Sequence, residues 1–83
     1  MLSISRGNLI LRNKAIGRAY DYFAAEDIKH EEDYIIVQTQ YPDDTLLQQV
    51  ILSFGKDVEV VGPEHLRKSI QDEAKGILAM YKD

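Results

Sequence analysis

Apolar positions in the second half of the chain change their period along the sequence. From Leu46 to Phe54 they recur at offsets of zero, one, four, five and eight, the spacing of one face of an α-helix. Gly55 then ends this helix, because glycine accepts the left-handed conformation favoured just beyond a helix C-terminus. Val58 to Val61 is a short, mostly β-branched run that suits a strand. The pattern therefore predicts a helix, a glycine stop and a strand.

A second, longer helix is predicted after Pro63, whose fixed φ suits the first helical position. Apolar residues recur there every three or four positions up to the C-terminus. They are Leu66, Ile70, Ala74, Ile77, Leu78 and Tyr81. The spacing predicts an amphipathic helix of about five turns.

The first half of the chain repeats this organisation. Leu9-Ile10-Leu11 predicts a buried strand over residues 8–12, and Asn13 is a residue type that caps helices. The offsets zero, one, four, five and eight return from about Lys14 to Ala25. We expect the apolar residues at these offsets to lie on one face of the helix, and Tyr20 and Phe23 to lie in the core. The residues are Ala15, Ile16, Ala19, Tyr20 and Phe23. Gly17 lies within this helix, so we expect close packing against a neighbour there.

Two further strands are predicted between the helices. Residues 25–32 are mostly charged and suit an edge strand around Ile28, followed by a polar turn at residues 31–33. Residues 34–41 are rich in β-branched and aromatic side chains and form the best strand of the chain. Its more apolar face, expected to contact the core, consists of Ile35, Val37, Thr39 and Tyr41. Pro42-Asp43-Asp44 ends the strand and supplies a helix cap.

The element order predicts an α+β fold. Two strand–helix–strand units indicate a ferredoxin-like βαββαβ antiparallel sheet with two helices on one face, plus an additional C-terminal helix. Right-handed crossovers place the strands of residues 8–12 and 34–41 in the centre of the sheet. Residues 1–7 are interpreted as a leader or linker remnant, and residues 8–83 as a single domain. The last helix has no place in the minimal motif, so it covers the sheet edge, packs across the open face or reaches a partner.

The run L-x-S-F-G-x-D-V-E-V-x-x-P-x-x-L-R from Leu52 to Arg67, followed by a helix ending at Tyr81, resembles a known family. It is similar to the C-terminal extension, WCX, of WYL-domain transcriptional regulators, over roughly residues 9–81. The resemblance implies the same ferredoxin-like fold, with a helix-turn-helix domain and a WYL barrel upstream in the parent chain. The sequence has no tryptophan and no helix-turn-helix, so we expect a fragment or an excised domain of a larger regulator.

Composition narrows the function classes. With 83 residues, 45% apolar and 29% charged, the chain has the composition of one soluble globular domain. The absence of cysteine excludes disulfides and a thiol nucleophile. No apolar run is long enough to cross a membrane and no signal peptide is evident, so we expect a cytoplasmic protein. The net charge of −4 and the lack of a basic stripe argue against direct DNA contact by this domain.

No pattern in the sequence supports catalysis, a cofactor or a metal site. His30 and His65 lack ligand spacing, the acidic run 31–33 lacks the EF-hand pattern, and no serine lies in a nucleophile elbow. We therefore expect a protein that is not an enzyme. One weaker candidate is an anion or effector site at the start of the last helix, formed by His65, Arg67 and Lys68, although the acidic residue at position 64 opposes it.

Three residues are interface candidates. Tyr22 lies outside the apolar face of its predicted helix, and Tyr81 is the last residue on the apolar face of the C-terminal helix. Tyrosine is enriched at protein interfaces. The resemblance implies a structural partner for Arg67, such as a carboxylate on this domain or a neighbouring one; the alternative is an exposed helix arginine. The predicted function is a regulatory and dimerisation domain that couples ligand sensing to DNA binding done upstream. The alternative is a sensor module that binds a small molecule or nucleotide.

Overall fold

A computed structural model describes residues 4–82, in which four strands and three α-helices alternate. In chain order they are β1 (Ser5–Arg12), α1 (Lys14–Arg18), β2 (Ile28–His30), β3 (Tyr34–Tyr41), α2 (Asp44–Ser53), β4 (Val58–Gly62) and α3 (Glu64–Met80). Short 3-10 turns lie at residues 19–21, 25–27 and 55–57. The predicted α+β class is confirmed.

The four strands form one antiparallel sheet in the order β2-β3-β1-β4. The two long strands pair along their whole length, from Ser5 opposite Tyr41 to Arg12 opposite Tyr34. The short strands β2 and β4 lie at the edges, where a strand has only one pairing neighbour. The predicted choice of central and edge strands is therefore confirmed.

Side chains alternate between a covered face and an open face of the sheet. On β3, Ile35, Val37 and Thr39 are buried, which confirms the face predicted to contact the core. On the opposite face, Arg6, Asn8 and Gln38 are exposed, whereas Ile10 and Ile36 are half-buried. The buried core lies on the covered face, between the sheet and the helices. Its members are Leu9, Leu11, Ala15, Ala19, Phe23, Ile35, Val37, Leu47, Val50, Ile51, Phe54, Val60 and Leu66.

Helix α2 begins and ends at the residues that the sequence indicated. The side chain of Asp43 accepts a hydrogen bond of 2.8 Å from the amide of Leu46, which makes Asp43 the N-cap. At the other end Gly55 has a φ of +61°, the left-handed conformation expected after a helix. Both signals act locally, and this explains why they could be read from the sequence.

The first helix is shorter than predicted. It ends as an α-helix at Arg18 and passes into a 3-10 turn, so the apolar pattern does not extend as one helix to residue 25. A 3-10 turn winds more tightly, with about three residues per turn. Tyr20 therefore leaves the core, contrary to expectation, and is 52% exposed, whereas Phe23 is buried as predicted.

Two further local expectations for this region need correction. Asn13 is the N-cap residue of α1, as predicted, but its side chain makes no capping hydrogen bond; it has a φ of 54°, which asparagine tolerates, and its side-chain amide donates to Asp57 at 3.2 Å. Gly17 is exposed, and a Cβ at this position would meet no atom within 4 Å. The glycine is therefore not required there by close helix packing.

The domain begins earlier than predicted. Ser5, Arg6 and Gly7 belong to β1, with Ser5 buried and Gly7 facing the core, so these three residues are not a leader. Residues 1–3, the rest of the predicted leader, lie outside the described residues. A Cβ at Gly7 would lie 3.2 Å from a δ-methyl of Leu66 and 3.3 Å from one of Leu47. Glycine thus lets α2 and α3 approach the sheet closely at this point.

Candidate functional site

The first two turns of α3 are fixed to the sheet. The preceding residue, Pro63, lies at the N-cap, one position earlier than the sequence suggested. Leu66 is fully buried and Ile70 packs against the core. The guanidinium of Arg67 donates a 2.9 Å hydrogen bond to the backbone carbonyl of Val60 in β4. These contacts hold the start of α3 over the edge of the sheet and set the direction of the rest of the helix.

The hydrogen bond from Arg67 shows that this side chain has a structural partner, which the sequence could not distinguish from an exposed helix arginine. Its guanidinium has a structural partner within the same domain, a backbone carbonyl, and also lies 3.8 Å from the carboxylate of Glu64 one turn earlier. About half of the side chain stays exposed to solvent. Arg67 is therefore fixed in place yet accessible, which leaves its outer face free for a further contact.

The second half of α3 lies outside the core. Every residue from Gln71 to Lys82 is exposed, although the apolar spacing of the helix continues to its end. Ile77 is 50% exposed, Leu78 67%, Met80 81% and Tyr81 83%. Single exposed apolar residues are common on protein surfaces, but several on one helix face form a patch of the kind that marks interaction sites.

An open groove runs beside this exposed half-helix. It has a volume of about 460 Å³ and lies between α3 and the end of α2 with its following turn. Its lining is mostly apolar and consists of Leu52, Gly55, Lys56, Ile70, Ala74, Ile77, Leu78 and Tyr81. The predicted interface residue Tyr81 thus forms part of the groove.

A second, more polar cleft adjoins the groove and shares Leu52, Gly55 and Ile70 with it. This cleft has a volume of about 340 Å³ and lies between α2, β4 and α3. Arg67 and Glu64 contribute its charged side chains from α3, and Glu59 contributes one from β4. The two spaces together give this end of the domain a recessed surface.

A comparison with protein families agrees with this architecture. The family described as the WCX domain matches residues 8–78, from β1 into the last turns of α3. The chain belongs to the WCX domain family. This confirms the resemblance carried by Leu52 to Arg67 and associates the chain with WYL-type transcriptional regulators. Among curated proteins, none matches the sequence of this WCX domain.

The remaining predicted interface residue of the WCX domain, Tyr22, lies in an aromatic cluster outside the groove. Its ring packs edge-on against Phe54 at a centroid distance of 5.4 Å, and Arg18 lies 5.7 Å from the ring centre. It is 38% exposed. Its backbone carbonyl accepts a 2.7 Å hydrogen bond from the hydroxyl of Tyr41, whose pKa is raised by burial and then by the nearby Tyr22. Tyr22 thus has a packing role within the domain.

The three residues of the predicted anion site point to different neighbours. The Nε2 atom of His65 lies 3.8 Å from a carboxylate oxygen of Asp44, which also accepts a hydrogen bond from the hydroxyl of Ser5. Arg67 faces Val60 and Glu64 instead. Lys68 is exposed on the helix. His65 and Arg67 line separate recesses, so the structure does not bring them to a common point.

Sequence reasoning missed two contributors to the groove, Leu52 and Lys56. Leu52 lies six residues after Leu46, off the apolar offsets of α2, and was therefore not assigned a role. The sequence does contain an indication of this role, because Leu52 is a large apolar residue on the otherwise polar side of an amphipathic helix. The role of Lys56 depends on the turn after α2 and has no counterpart in the periodic pattern.

Within residues 4–82, the helices fall short of the length and apolarity needed to cross a bilayer.

Proposed function

We propose that this WCX domain is a non-catalytic regulatory module at the C-terminus of a WYL-type transcriptional regulator. In this proposal it associates with a second copy and helps to couple ligand sensing to DNA binding by upstream domains. The regulator would act in the cytoplasm. The observation that carries the proposal is the exposed apolar half of α3, together with the groove beside it.

The fold supports a role in association. The strand order β2-β3-β1-β4, with every pair antiparallel and the core on one face, supports a ferredoxin-like assignment in which α3 is an addition to the basic motif. Only the first half of α3 contributes to the core. An isolated helical segment of three turns is marginal in water, so the second half gains most from contact with another surface.

The energetic gain from covering this surface is substantial. Complete burial of a large apolar side chain contributes about 1.5–3 kcal/mol. Ile77, Leu78 and Tyr81 each keep half or more of their surface exposed, so a partner that covers them gains several kcal/mol. The net charge of −4 makes phosphate a poor partner, which supports a protein contact and leaves DNA to the upstream domains.

Sedimentation equilibrium of the chain tests the proposed association. We expect a reversible dimer with a dissociation constant in the micromolar range, typical of small interfaces. Leu78→Lys places a charge among the exposed apolar residues Ile77, Leu78 and Tyr81 of α3 and is expected to shift the equilibrium to monomer. The matched change Ala79→Lys, at an exposed position about 140° around the same helix from Ala74, is expected to leave the equilibrium unchanged. A wild-type chain that stays monomeric up to about 1 mM contradicts the proposal.

The cleft between α2, β4 and α3 favours one alternative function. It presents the guanidinium of Arg67 beside apolar side chains, a combination that suits a small molecule or nucleotide with an anionic group, although Glu59 and Glu64 in the same cleft oppose an anion. Titration with nucleotides and amino acids, followed by chemical-shift mapping, tests this function. Shifts clustered at residues 55–68 favour an effector-sensing module, whereas an unchanged spectrum at millimolar ligand argues against it.

A further inference from the structure

We infer that two copies of the chain pack through α3 in antiparallel orientation, about a twofold axis near Ala74. Each groove then receives the exposed half of the partner's α3. This inference rests on the proposed function and adds the surface, the orientation and the contacts that the proposed function leaves open.

The shape of the domain makes this surface self-complementary. The groove is open, apolar and bordered on one side by α3 itself, and the element that fits it is an apolar helix face. The same chain presents such a face on residues 71–81. A twofold axis uses the same patch on both copies, so both grooves are filled and both half-helices are covered in one closed dimer.

The available area agrees with a weak dimer. Complete burial removes about 150–250 Å² of an aromatic side chain from solvent and roughly 60–120 Å² of an aliphatic one. Since Ile77, Leu78 and Tyr81 are only partly exposed, they and the groove floor offer on the order of 300–400 Å² per copy. Two copies together bury roughly 600–800 Å², the range of weak and transient contacts. In the parent regulator, contacts between upstream domains would add to this interaction.

Charge also selects this face for contact between two copies. The whole chain carries −4, so most approaches of two copies bring acidic surfaces together. Residues 64–83 differ, because four basic residues there balance four acidic ones. The basic residues are Arg67, Lys68, Lys75 and Lys82, and the acidic residues are Glu64, Asp72, Glu73 and Asp83. Two α3 helices can therefore approach each other with less repulsion than the remainder of the surface.

The antiparallel direction follows from the helix dipole and from two residue positions. Antiparallel packing puts the negative C-terminal end of each helix beside the positive N-terminal half of its partner. Arg67 and Tyr81 lie seven residues before and seven residues after Ala74. The twofold axis thus brings the exposed side of the Arg67 guanidinium to the ring of the partner's Tyr81, where a cation–π contact forms. Arg67 and Tyr81, which were predicted separately as interface residues, thus contact each other across the dimer.

The absence of cysteine from the sequence allows a direct test with single cysteines and disulfide formation. Ala74→Cys lies at the proposed axis, and Ala79→Cys is a matched control about 140° further around the same helix. A disulfide requires Cα atoms within about 7 Å of each other. Under mild oxidation at a concentration where the chain is dimeric, we expect Ala74→Cys to form covalent dimer at least tenfold faster than Ala79→Cys.

A second pair of variants tests the antiparallel orientation. Ile70→Cys and Leu78→Cys lie four residues on either side of Ala74, so their mixture is expected to give the mixed disulfide in preference to either symmetric one. A preference for the symmetric disulfides, or equal rates for Ala74→Cys and Ala79→Cys, overturns the inference. If sedimentation shows a dimer but cross-linking fails at α3, the proposed function survives and this geometry does not. If sedimentation shows only monomer, both fail.

Discussion

Replacing Gly7 by valine tests how tightly α3 is fixed to the sheet. Gly7 faces the core from β1, and a Cβ there would lie 3.2 Å from Leu66 and 3.3 Å from Leu47. Both leucines are fully buried, so their methyl groups have little room to move away. A valine would add two further methyl groups at the point where the helices approach the sheet.

The expected cost follows from these distances. Inserting methyl groups into a packed core costs about 1–3 kcal/mol, and the strand preference of valine offsets only a part of it. For a domain of this size, a loss of 2 kcal/mol lowers the melting temperature by about 8–16 °C. Gly7→Ala is expected to be nearly neutral, because relief of unfolded-state entropy, worth about 0.4–1 kcal/mol, opposes the close contact.

Urea unfolding followed by circular dichroism measures both variants. Gly76→Ala is the matched control, since a Cβ at this exposed helical position meets no atom within 4 Å. The control is expected to gain about 0.5–1 kcal/mol from helix propensity. A Gly7→Val protein that is folded and as stable as the wild type would refute the close docking of α3 and, with it, the fixed direction of the exposed half-helix.

Three further predictions concern Arg67, Tyr41 and Asp43. Arg67→Ala is expected to raise the dimer dissociation constant about fivefold to tenfold through loss of the contact with Tyr81, and Lys68→Ala to leave it unchanged in sedimentation. Tyr41 has a raised folded-state pKa, so its contribution to stability is complete below about pH 10 and is lost as the pH rises through the raised value. Tyr41→Phe is expected to reduce this alkaline loss in urea unfolding at increasing pH; an unchanged pH profile contradicts it. Asp43→Ala removes the cap of α2 and is expected to cost about 1 kcal/mol, measured by the same unfolding; no loss of stability contradicts the capping role.

Predictions that depend on local chemistry agreed best with the structure. The cap at Asp43, the left-handed Gly55 and the alternating face of β3 each depend on a few neighbouring residues. Tyr20 was misassigned because the helix pattern was extended past Arg18, where the chain adopts a 3-10 turn. Periodicity alone does not distinguish the two kinds of winding over a few residues.

The candidate surface was only partly predictable. The spacing of α3 indicated an apolar face up to Tyr81, but it could not say which half of that face is buried by the same chain. The answer depends on the close approach at Gly7 and on the hydrogen bond from Arg67 to Val60, both between residues distant in sequence or on different elements. The groove likewise needs Leu52, which α2 presents outside its main apolar arc.

Amide hydrogen exchange along α3, measured at increasing protein concentration, tests the central claim most directly. If a second copy covers the exposed half-helix, the amides of residues 74–81 become more protected as concentration rises, while those of the first two turns stay unchanged. Exchange over residues 74–81 that is fast at every concentration at which the chain is studied would contradict the account.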